Sequence, residues 1–240
     1  MSAKRARKSK NFHNNVVQLN NYLPEKKETV KIYPRNRAQE TYLLTLSDTG
    51  KDVVFGIGPA GTGKTLIAVL TAVKLFKEGS IDKIIVTRPA VSVDEDLGFL
   101  PGTLEQKMAP WTRPVFDVLR DYFTSTQITG MIDEGVIEIA PLAYMRGRTF
   151  KRSFIVADEM QNSTVNQMKM LLTRLGEGSK MAVTGDLNQA DRMSDNGLID
   201  FIHQLERHSN ANRLAYVTFG HADIERHEAV KEILQVYGDE

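Results

Sequence analysis

The sequence predicts an α/β fold in which a mostly parallel sheet lies between two layers of helices. From about residue 32 onward, short strand-like segments alternate with segments whose apolar residues recur at helical spacing. Several strand-like segments are continuous apolar runs, which is typical of strands buried on both faces. Alternation of this kind favours an open parallel sheet built from strand–helix–strand units.

Six segments are predicted as strands because they are short, apolar and rich in β-branched residues. Pro89 ends the second segment, and an acidic residue ends both the fourth and the fifth. In chain order the strand segments read DVVFGIG, DKIIVTRP, GVIEIAP, SFIVADE, KMAVTGD and RLAYVTF.

The helices are predicted between these strands. KTLIAVLTAVKLF has helical spacing and stops near Gly79, whereas LEQKMAPWTRPVFDVLRDYF is expected to be broken by its two prolines, Pro110 and Pro114. STVNQMKMLLTRLG is expected to begin after Ser163 or Thr164. GLIDFIHQLER is a further helix, and DIERHEAVKEILQVYG is predicted to close the chain with Asp223 as its cap.

Composition excludes several classes of protein. The chain has 240 residues, a net charge of +1 and no cysteine, so disulfides, thiolate metal sites and cysteine nucleophiles are excluded. No apolar run is long enough to span a membrane, and no secretory signal pattern is visible. We therefore expect a cytoplasmic protein with no membrane association.

The charge is concentrated at the amino terminus, where five basic residues fall among the first ten and no acidic residue precedes Glu25. We expect residues 1–30 to form a flexible tail and residues 31–240 to form one domain. A solvated tail and an electrostatic contact with nucleic-acid phosphates both remain open. The basic residues are Lys4, Arg5, Arg7, Lys8 and Lys10.

A glycine-rich turn between the first strand and the first helix matches the P-loop pattern, Gly-x4-Gly-Lys-Thr. Glycines let backbone N–H groups converge on one concavity, and the following helix adds its positive dipole end. Lys64 is expected to reach the β- and γ-phosphates, and Thr65 to hold Mg²⁺. The expected nucleotide-binding residues of the loop are Gly58, Pro59, Ala60, Gly61, Thr62, Gly63, Lys64, Thr65 and Leu66.

An acidic pair follows the fourth strand, at the edge of the sheet where the P-loop also lies. Asp158 is expected to hold Mg²⁺ and to be part of the nucleotide site, while Glu159 is placed to polarise an attacking water. After the fifth strand, Thr184 and Gln189 are expected near the γ-phosphate. A helix cap for the acidic pair and an ordinary polar turn for VTGDLNQAD are the alternatives.

These motifs together resemble the PhoH-like family of ATPases. The resemblance rests on GIGPAGTGKTLIAV, VTRPAV, RGRTF, FIVADEMQNST, MKMLLTRLGEGSKMAVTGDLNQAD and DIERHEAV, and it covers residues 32–237. It implies a single P-loop NTPase domain with a RecA-like core similar to superfamily-one helicases. It also implies ATP and Mg²⁺ as cofactors and activity related to RNA. The short form with a basic tail resembles versions carried by bacteriophages.

The resemblance also implies roles for particular residues. Gln39 resembles the glutamine that reads the adenine edge, which would favour ATP over GTP. Arg226 and Arg174 are the candidate arginines that would stabilise transition-state charge from a neighbouring subunit. A single core lacks a second helicase domain, so we expect a homo-oligomer, with a hexameric ring as the first hypothesis.

RNA or single-stranded DNA is the expected partner. The block RPAVSVDEDLGFLPGTLEQKMAPW, which begins at Arg88, corresponds to the region where helicases contact nucleic acid, and Trp111 within it could stack on a base or pack internally. Lys107, Arg113 and the pair Arg146 and Arg148 add positive charge.

Three other functions remain compatible with the P-loop. One is a nucleotide or nucleoside kinase, although Asp158–Glu159 suits water activation better and no arginine-rich lid is evident. Another is an AAA-type ATPase, although only about twenty residues follow the last strand. The third is a nucleotide-dependent switch or assembly module that hydrolyses ATP slowly.

Overall fold

The computed structural model describes residues 30–89, 104–188, 195–208, 210–225 and 228–237. The strands are β1 Val53–Ile57, β2 Lys83–Arg88, β3 Ile137–Pro141, β4 Ser153–Ala157, β5 Lys180–Gly185 and β6 Leu214–Thr218. The helices are α1 Arg37–Ser47, α2 Lys64–Lys77, α3 Leu104–Arg120, α4 Ser125–Asp133, α5 Val165–Leu172, α6 Gly197–Glu206 and α7 Glu228–Tyr237.

The six strands form one sheet in the order β3-β2-β4-β5-β1-β6, and every neighbouring pair is parallel. The prediction of an α/β fold with a parallel sheet is confirmed. Because all strands run the same way, their carboxyl ends meet at one edge, where ligands of such sheets bind. The loops after β1, β4 and β5 therefore converge, since these three strands are adjacent.

Helices cover both faces of the sheet. Alternate residues of β1 point to opposite faces, so that Val54 joins one core and Phe55 the other. The first core contains residues of α1 to α4, including Tyr42 and Leu119. The second core contains residues of α5 and α6, including Leu198. Burial on both faces explains why the strands are apolar throughout.

The predicted break in the third helix is wrong. Helix α3 runs from Leu104 to Arg120 through both prolines. Its carboxyl-terminal half buries Val115 and Leu119 in the first core. We attribute the continuous helix to this burial, which compensates for the hydrogen bonds that Pro110 and Pro114 cannot donate.

Two further differences concern helix ends. Helix α4 was not predicted; it begins with a reciprocal capping box between Thr124 and Gln127. Asp223 does not cap the last helix, because α7 begins at Glu228 and the Asp223 carboxylate instead accepts the Gly220 N–H at 2.8 Å. Thr164 caps α5, as one of the two predicted alternatives.

Within the described ranges, no helix has the length and apolar character required to cross a membrane. The predicted tail, apart from Val30, lies outside the described residues.

Candidate nucleotide site

The loop between β1 and α2 requires glycine at specific positions. Gly58, Gly61 and Gly63 all have positive φ, at 146°, 81° and 82°. A Cβ on Gly58 would lie 2.3 Å from the carbonyl oxygen of Phe219, and one on Gly63 would lie 2.9 Å from Gln39 Nε2. The backbone conformation disfavours larger residues at all three positions, and at Gly58 the neighbouring backbone of Phe219 leaves no space for one.

Lys64 begins helix α2 and is folded against its own loop. Its Nζ donates hydrogen bonds to the carbonyl oxygens of Gly58 at 2.7 Å and Pro59 at 2.6 Å, and to Thr62 Oγ1 at 3.1 Å. Burial lowers the pKa of Lys64, while the nearby carboxylates of Asp186, Glu159 and Asp158 act in the opposite direction. The three hydrogen bonds engage all the donors of this buried ammonium within the loop, so pairing with an anion would require it to exchange some of them.

Asp158 joins three elements of the site. Its Oδ1 accepts a hydrogen bond from Thr65 Oγ1 of α2 at 2.7 Å and another from Thr184 Oγ1 at the end of β5. The Asp158 N–H donates to the carbonyl oxygen of Thr87 in β2 at 2.9 Å. Because β4, β5 and β1 are consecutive in the sheet and α2 follows β1, the predicted Mg²⁺ residues, Thr65 and Asp158, come into direct contact.

These oxygens fit the ligand preference of Mg²⁺. A carboxylate and a hydroxyl supply hard oxygen donors, and Mg²⁺ usually takes only one or two carboxylates together with phosphates and water. Among the described residues, no group of three or more histidine, aspartate or glutamate side chains could hold a metal ion. Thr65 and Asp158 are the residues of this site whose oxygens could hold Mg²⁺.

Glu159 stands beside Asp158 in a left-handed backbone conformation, with φ of 54° and ψ of 37°. Such a conformation costs a non-glycine residue about 1–3 kcal/mol, and strain of this kind is concentrated at functional sites. The Glu159 carboxylate accepts a hydrogen bond from Gln161 Nε2 at 2.5 Å.

A cavity of about 250 Å³ lies between the loop and the acidic residues. Two of its lining residues, Gly185 and Asp186 at the end of β5, were not predicted. The aspartate that ends VTGD could have indicated a functional residue at position 186. Which strands lie beside β5, and therefore which residues share its cavity, becomes known only from the strand order of the sheet. The lining residues are Ala60, Gly61, Gly63, Lys64, Thr65, Leu66, Asp158, Glu159, Gly185 and Asp186.

Gln39 lies behind the loop and does not line this cavity. Its Oε1 accepts the Arg35 N–H at 2.8 Å, and its Nε2 donates to the Thr62 carbonyl oxygen at 3.0 Å. The side chain is only 5% exposed. In this arrangement Gln39 anchors helix α1 to the P-loop, and its proposed contact with adenine remains a prediction.

Of the two predicted arginines, Arg174 is described and does not line the cavity. Arg174 instead donates to the carbonyl oxygens of Met170 and Arg148, at 3.0 Å each, and to Thr173 Oγ1 at 3.0 Å. Gln189 and Arg226 lie outside the described residues, as does the side chain of Trp111.

A basic groove lies between the turn after β3 and helix α5, with a volume of about 650 Å³. Two of its residues, Arg146 and Lys169, are exposed cations, and none of the described residues that line it is acidic. Tyr144, in the same turn, is 61% exposed. The groove residues are Ala143, Arg146, Asn166, Gln167, Lys169, Met170 and Thr173.

Comparisons with known proteins agree with the sequence motifs. A PhoH-like protein of Bacillus subtilis (strain 168) is 47% identical over 188 residues, which cover 78% of this chain and 58% of the relative. Protein PhoH of Escherichia coli (strain K12) is 42% identical over 217 residues, covering 89% of this chain and 60% of the relative. The chain thus spans about three-fifths of the length of these relatives.

Solved structures give only a distant likeness. A SWI2/SNF2 ATPase core of Sulfolobus solfataricus in complex with dsDNA has 14% identity and a TM-score of 0.41, covering 80% of this chain and 46% of that one. Pif1 helicase from Candida albicans has 12% identity and a TM-score of 0.40, covering 87% and 44%. We infer nothing about function from them.

The family described as PhoH-like protein matches residues 31–238, which is nearly the whole chain. Together with the relatives above, this match means that the chain belongs to the PhoH-like protein family.

Proposed function

We propose that this chain hydrolyses ATP with Mg²⁺ as cofactor. The observation that carries the proposal is the contact of Thr65 with Asp158 beside Glu159, all lining one cavity with the P-loop. A P-loop by itself can bind the phosphates of a nucleotide, but it does not provide the groups that hydrolysis requires. The acidic pair adds a metal ligand and a candidate base for activating water.

Each residue has a distinct part in this reaction. Lys64, by exchanging its bonds to the loop carbonyls for phosphate oxygens, would place a cation on the β- and γ-phosphates. The N–H groups of the first turn of α2 point to the same region. Thr65 and Asp158 would hold Mg²⁺, which when bound neutralises phosphate charge. Glu159 would orient and deprotonate the attacking water.

The choice of ATP over other nucleotides is proposed through Gln39. The amide retains one N–H and one oxygen lone pair beyond its bonds to Arg35 and Thr62, which could serve a donor–acceptor edge such as that of adenine. This contact would require the base to approach from the side of helix α1.

Steady-state hydrolysis of ATP by the purified protein tests the proposal. We expect turnover that requires Mg²⁺ and is lost in Lys64→Ala, but retained in Lys74→Ala, which removes a lysine from the last turn of the same helix. Tight binding with negligible turnover would favour the nucleotide-dependent switch. Transfer of phosphate to a nucleoside or nucleotide instead of water would favour the kinase.

We further propose that ATP hydrolysis is coupled to single-stranded nucleic acid, in the first instance RNA. The supporting observation is the basic groove, where Arg146 and Lys169 can pair with phosphates. Tyr144, in the turn that contributes Ala143 to the groove, is exposed and can stack on a base. Cations along a groove combined with an aromatic surface are typical of sequence-tolerant single-strand binding.

Salt-dependent binding of a single-stranded RNA tests this coupling. The double variant Arg146→Ala/Lys169→Ala should bind more weakly, and its log–log salt slope should fall by about 0.7 for each lost phosphate contact. The control is Lys51→Ala/Lys83→Ala, which removes two charges at the opposite, amino-terminal edge of β1 and β2. Equal weakening in both variants would contradict a groove-specific contact.

A further inference from the structure

Gln161 is a buried polar residue beside the reacting carboxylate to which the proposed mechanism gives no part. It lies in the 3₁₀ turn Met160–Asn162 after β4 and is 2% exposed. We propose that Gln161 is a positioning residue that holds the Glu159 carboxylate in place and fixes it to the end of β5. The inference rests on the proposed ATP hydrolysis.

The side-chain amide of Gln161 makes two different hydrogen bonds. Nε2 donates to Glu159 Oε2 at 2.5 Å, and Oε1 accepts the backbone N–H of Asp186 at 3.2 Å. A neutral amide can offer a donor to a carboxylate and an acceptor to an N–H from one planar group. Glu159 is thereby tied to Asp186, which directly follows β5 and also lines the cavity.

The main chain of Gln161 is fixed as well. Its carbonyl oxygen accepts a hydrogen bond from Asn196 Nδ2 at 2.8 Å, and the Asn196 side chain is also buried. Asn196 Oδ1 in turn accepts the N–H groups of Leu198 and Ile199 at the start of α6, at 3.0 Å each. The amide that holds Glu159 is therefore anchored to the first turn of a core helix.

The residues around the side-chain amide of Gln161 are closely packed. A Cβ on Gly185 would lie 2.9 Å from Gln161 Oε1 and 2.5 Å from a Leu198 methyl carbon, so the absence of a side chain at Gly185 accommodates the contact. A carboxylate in such a setting needs a positioning partner, because Glu159 already occupies a strained left-handed conformation.

Two substitutions separate the two hydrogen bonds. Gln161→Met keeps the approximate volume but makes neither bond. Gln161→Glu keeps an acceptor for the Asp186 N–H but replaces the donor to Glu159 by a negatively charged oxygen. Ser163→Ala is the matched control, because Ser163 is a buried neighbour in the same segment whose hydroxyl donates to the Met160 carbonyl oxygen.

The kinetic test is a comparison of kcat with KM for ATP. We expect kcat of Gln161→Met to fall about 10- to 100-fold, as for other groups that orient a reacting side chain, with KM changed much less. Gln161→Glu should fall further, and Ser163→Ala should stay close to wild type. If Gln161→Glu is more active than Gln161→Met, the bond to Asp186 is the important one and the positioning of Glu159 is contradicted.

A stability measurement tests the contact without relying on activity. Gln161→Glu should lower the urea midpoint of unfolding in the wild-type background, where two carboxylates would face each other. It should lower the midpoint much less in the Glu159→Gln background, where the new amide at position 159 can donate to the carboxylate introduced at position 161. Equal shifts in both backgrounds would overturn the inference. If the wild type hydrolyses no ATP, the proposed function fails, and this cycle alone decides whether Gln161 holds residue 159.

Discussion

At the scale of single residues, Asp158 connects the elements that form the proposed nucleotide site. Its Oδ1 receives two hydroxyl hydrogen bonds, one from the helix of the P-loop and one from β5. These bonds orient the carboxylate in advance, which would reduce the cost of ordering it as the proposed ligand of Mg²⁺.

Substitution of Asp158 by asparagine should therefore weaken the binding of Mg²⁺ without destabilising the fold. We expect the concentration of Mg²⁺ needed for half-maximal ATP hydrolysis to rise about 10- to 100-fold, because a charged ligand is lost while the shape is kept. A Mg²⁺ titration of Asp158→Asn beside the exposed Asp133→Asn measures this. An unchanged Mg²⁺ requirement would remove Asp158 from the metal site.

Glu159→Gln should impair ATP hydrolysis while leaving ATP binding intact. The amide cannot accept a proton from water, so we expect turnover to fall about 10²- to 10⁴-fold while ATP still binds. Nucleotide affinity and turnover measured on the same preparation check this, with the exposed Glu177→Gln as control. Turnover within a few-fold of wild type would show that Glu159 is not the base.

Local sequence patterns predict only part of this site. The P-loop and the Asp158–Glu159 pair stand out because glycine spacing and strand ends are visible in one dimension. Thr184, Asp186 and Gln161 become partners only because β4 and β5 are neighbours in the sheet. No spacing rule connects residues 161 and 186, so their hydrogen bond could not be anticipated.

At the scale of elements, the burial of a helix or strand determines whether it could be predicted from the sequence. Strands buried on both faces are apolar throughout and were all located from the sequence. Helix α3 was misjudged because a proline penalty is visible in the sequence, whereas the compensating contacts of Val115 and Leu119 are tertiary. Asp223 resembles a helix cap locally but bonds within its own turn.

Helix α1 is tied to the P-loop by Gln39, so this residue should affect stability. We expect Gln39→Ala to lower the free energy of unfolding by about 1–3 kcal/mol, because the buried Thr62 carbonyl loses its partner. Urea unfolding measures this, with Thr41→Ala on the exposed face of the same helix as control. Unchanged stability together with a lost preference for ATP over GTP would instead favour base recognition alone.

Arg174 connects the end of α5 to the segment that carries Arg148 and Phe150. Its side chain bonds to the Arg148 carbonyl oxygen, and its own carbonyl oxygen accepts the Phe150 N–H at 2.9 Å. We expect Arg174→Ala to lower the free energy of unfolding by about 1–3 kcal/mol, since carbonyl groups lose their donors.

Thermal or urea unfolding of Arg174→Ala measures this loss of stability, with the exposed Arg207→Ala as control. Lower stability in Arg174→Ala alone would indicate that Arg174 is a structural anchor. A catalytic arginine acting on a neighbouring subunit would give the opposite pattern, with ATP hydrolysis lost and stability unchanged.

At the scale of the whole molecule, the chain is one sheet with one proposed nucleotide cavity at its carboxyl edge. The described residues place no arginine on that cavity, and transition-state charge in P-loop ATPases usually requires one. We propose a homo-oligomer, with a hexameric ring as the first hypothesis, in which a neighbouring subunit supplies an arginine to the cavity.

Sedimentation of the protein with and without ATP, alongside activity at the same concentrations, tests the oligomer. We expect the specific activity to rise with protein concentration as subunits assemble, because each site would be completed by its neighbour. A strict monomer with full activity would contradict assembly and require the arginine to come from this chain.

ATP hydrolysis measured with and without single-stranded RNA tests most directly whether turnover of the proposed ATPase responds to nucleic acid. We expect RNA to raise turnover in the wild type and in Lys51→Ala/Lys83→Ala, and we expect Arg146→Ala/Lys169→Ala to lose this stimulation. Identical turnover with and without RNA in the wild type, at RNA concentrations that saturate binding, would contradict this expectation.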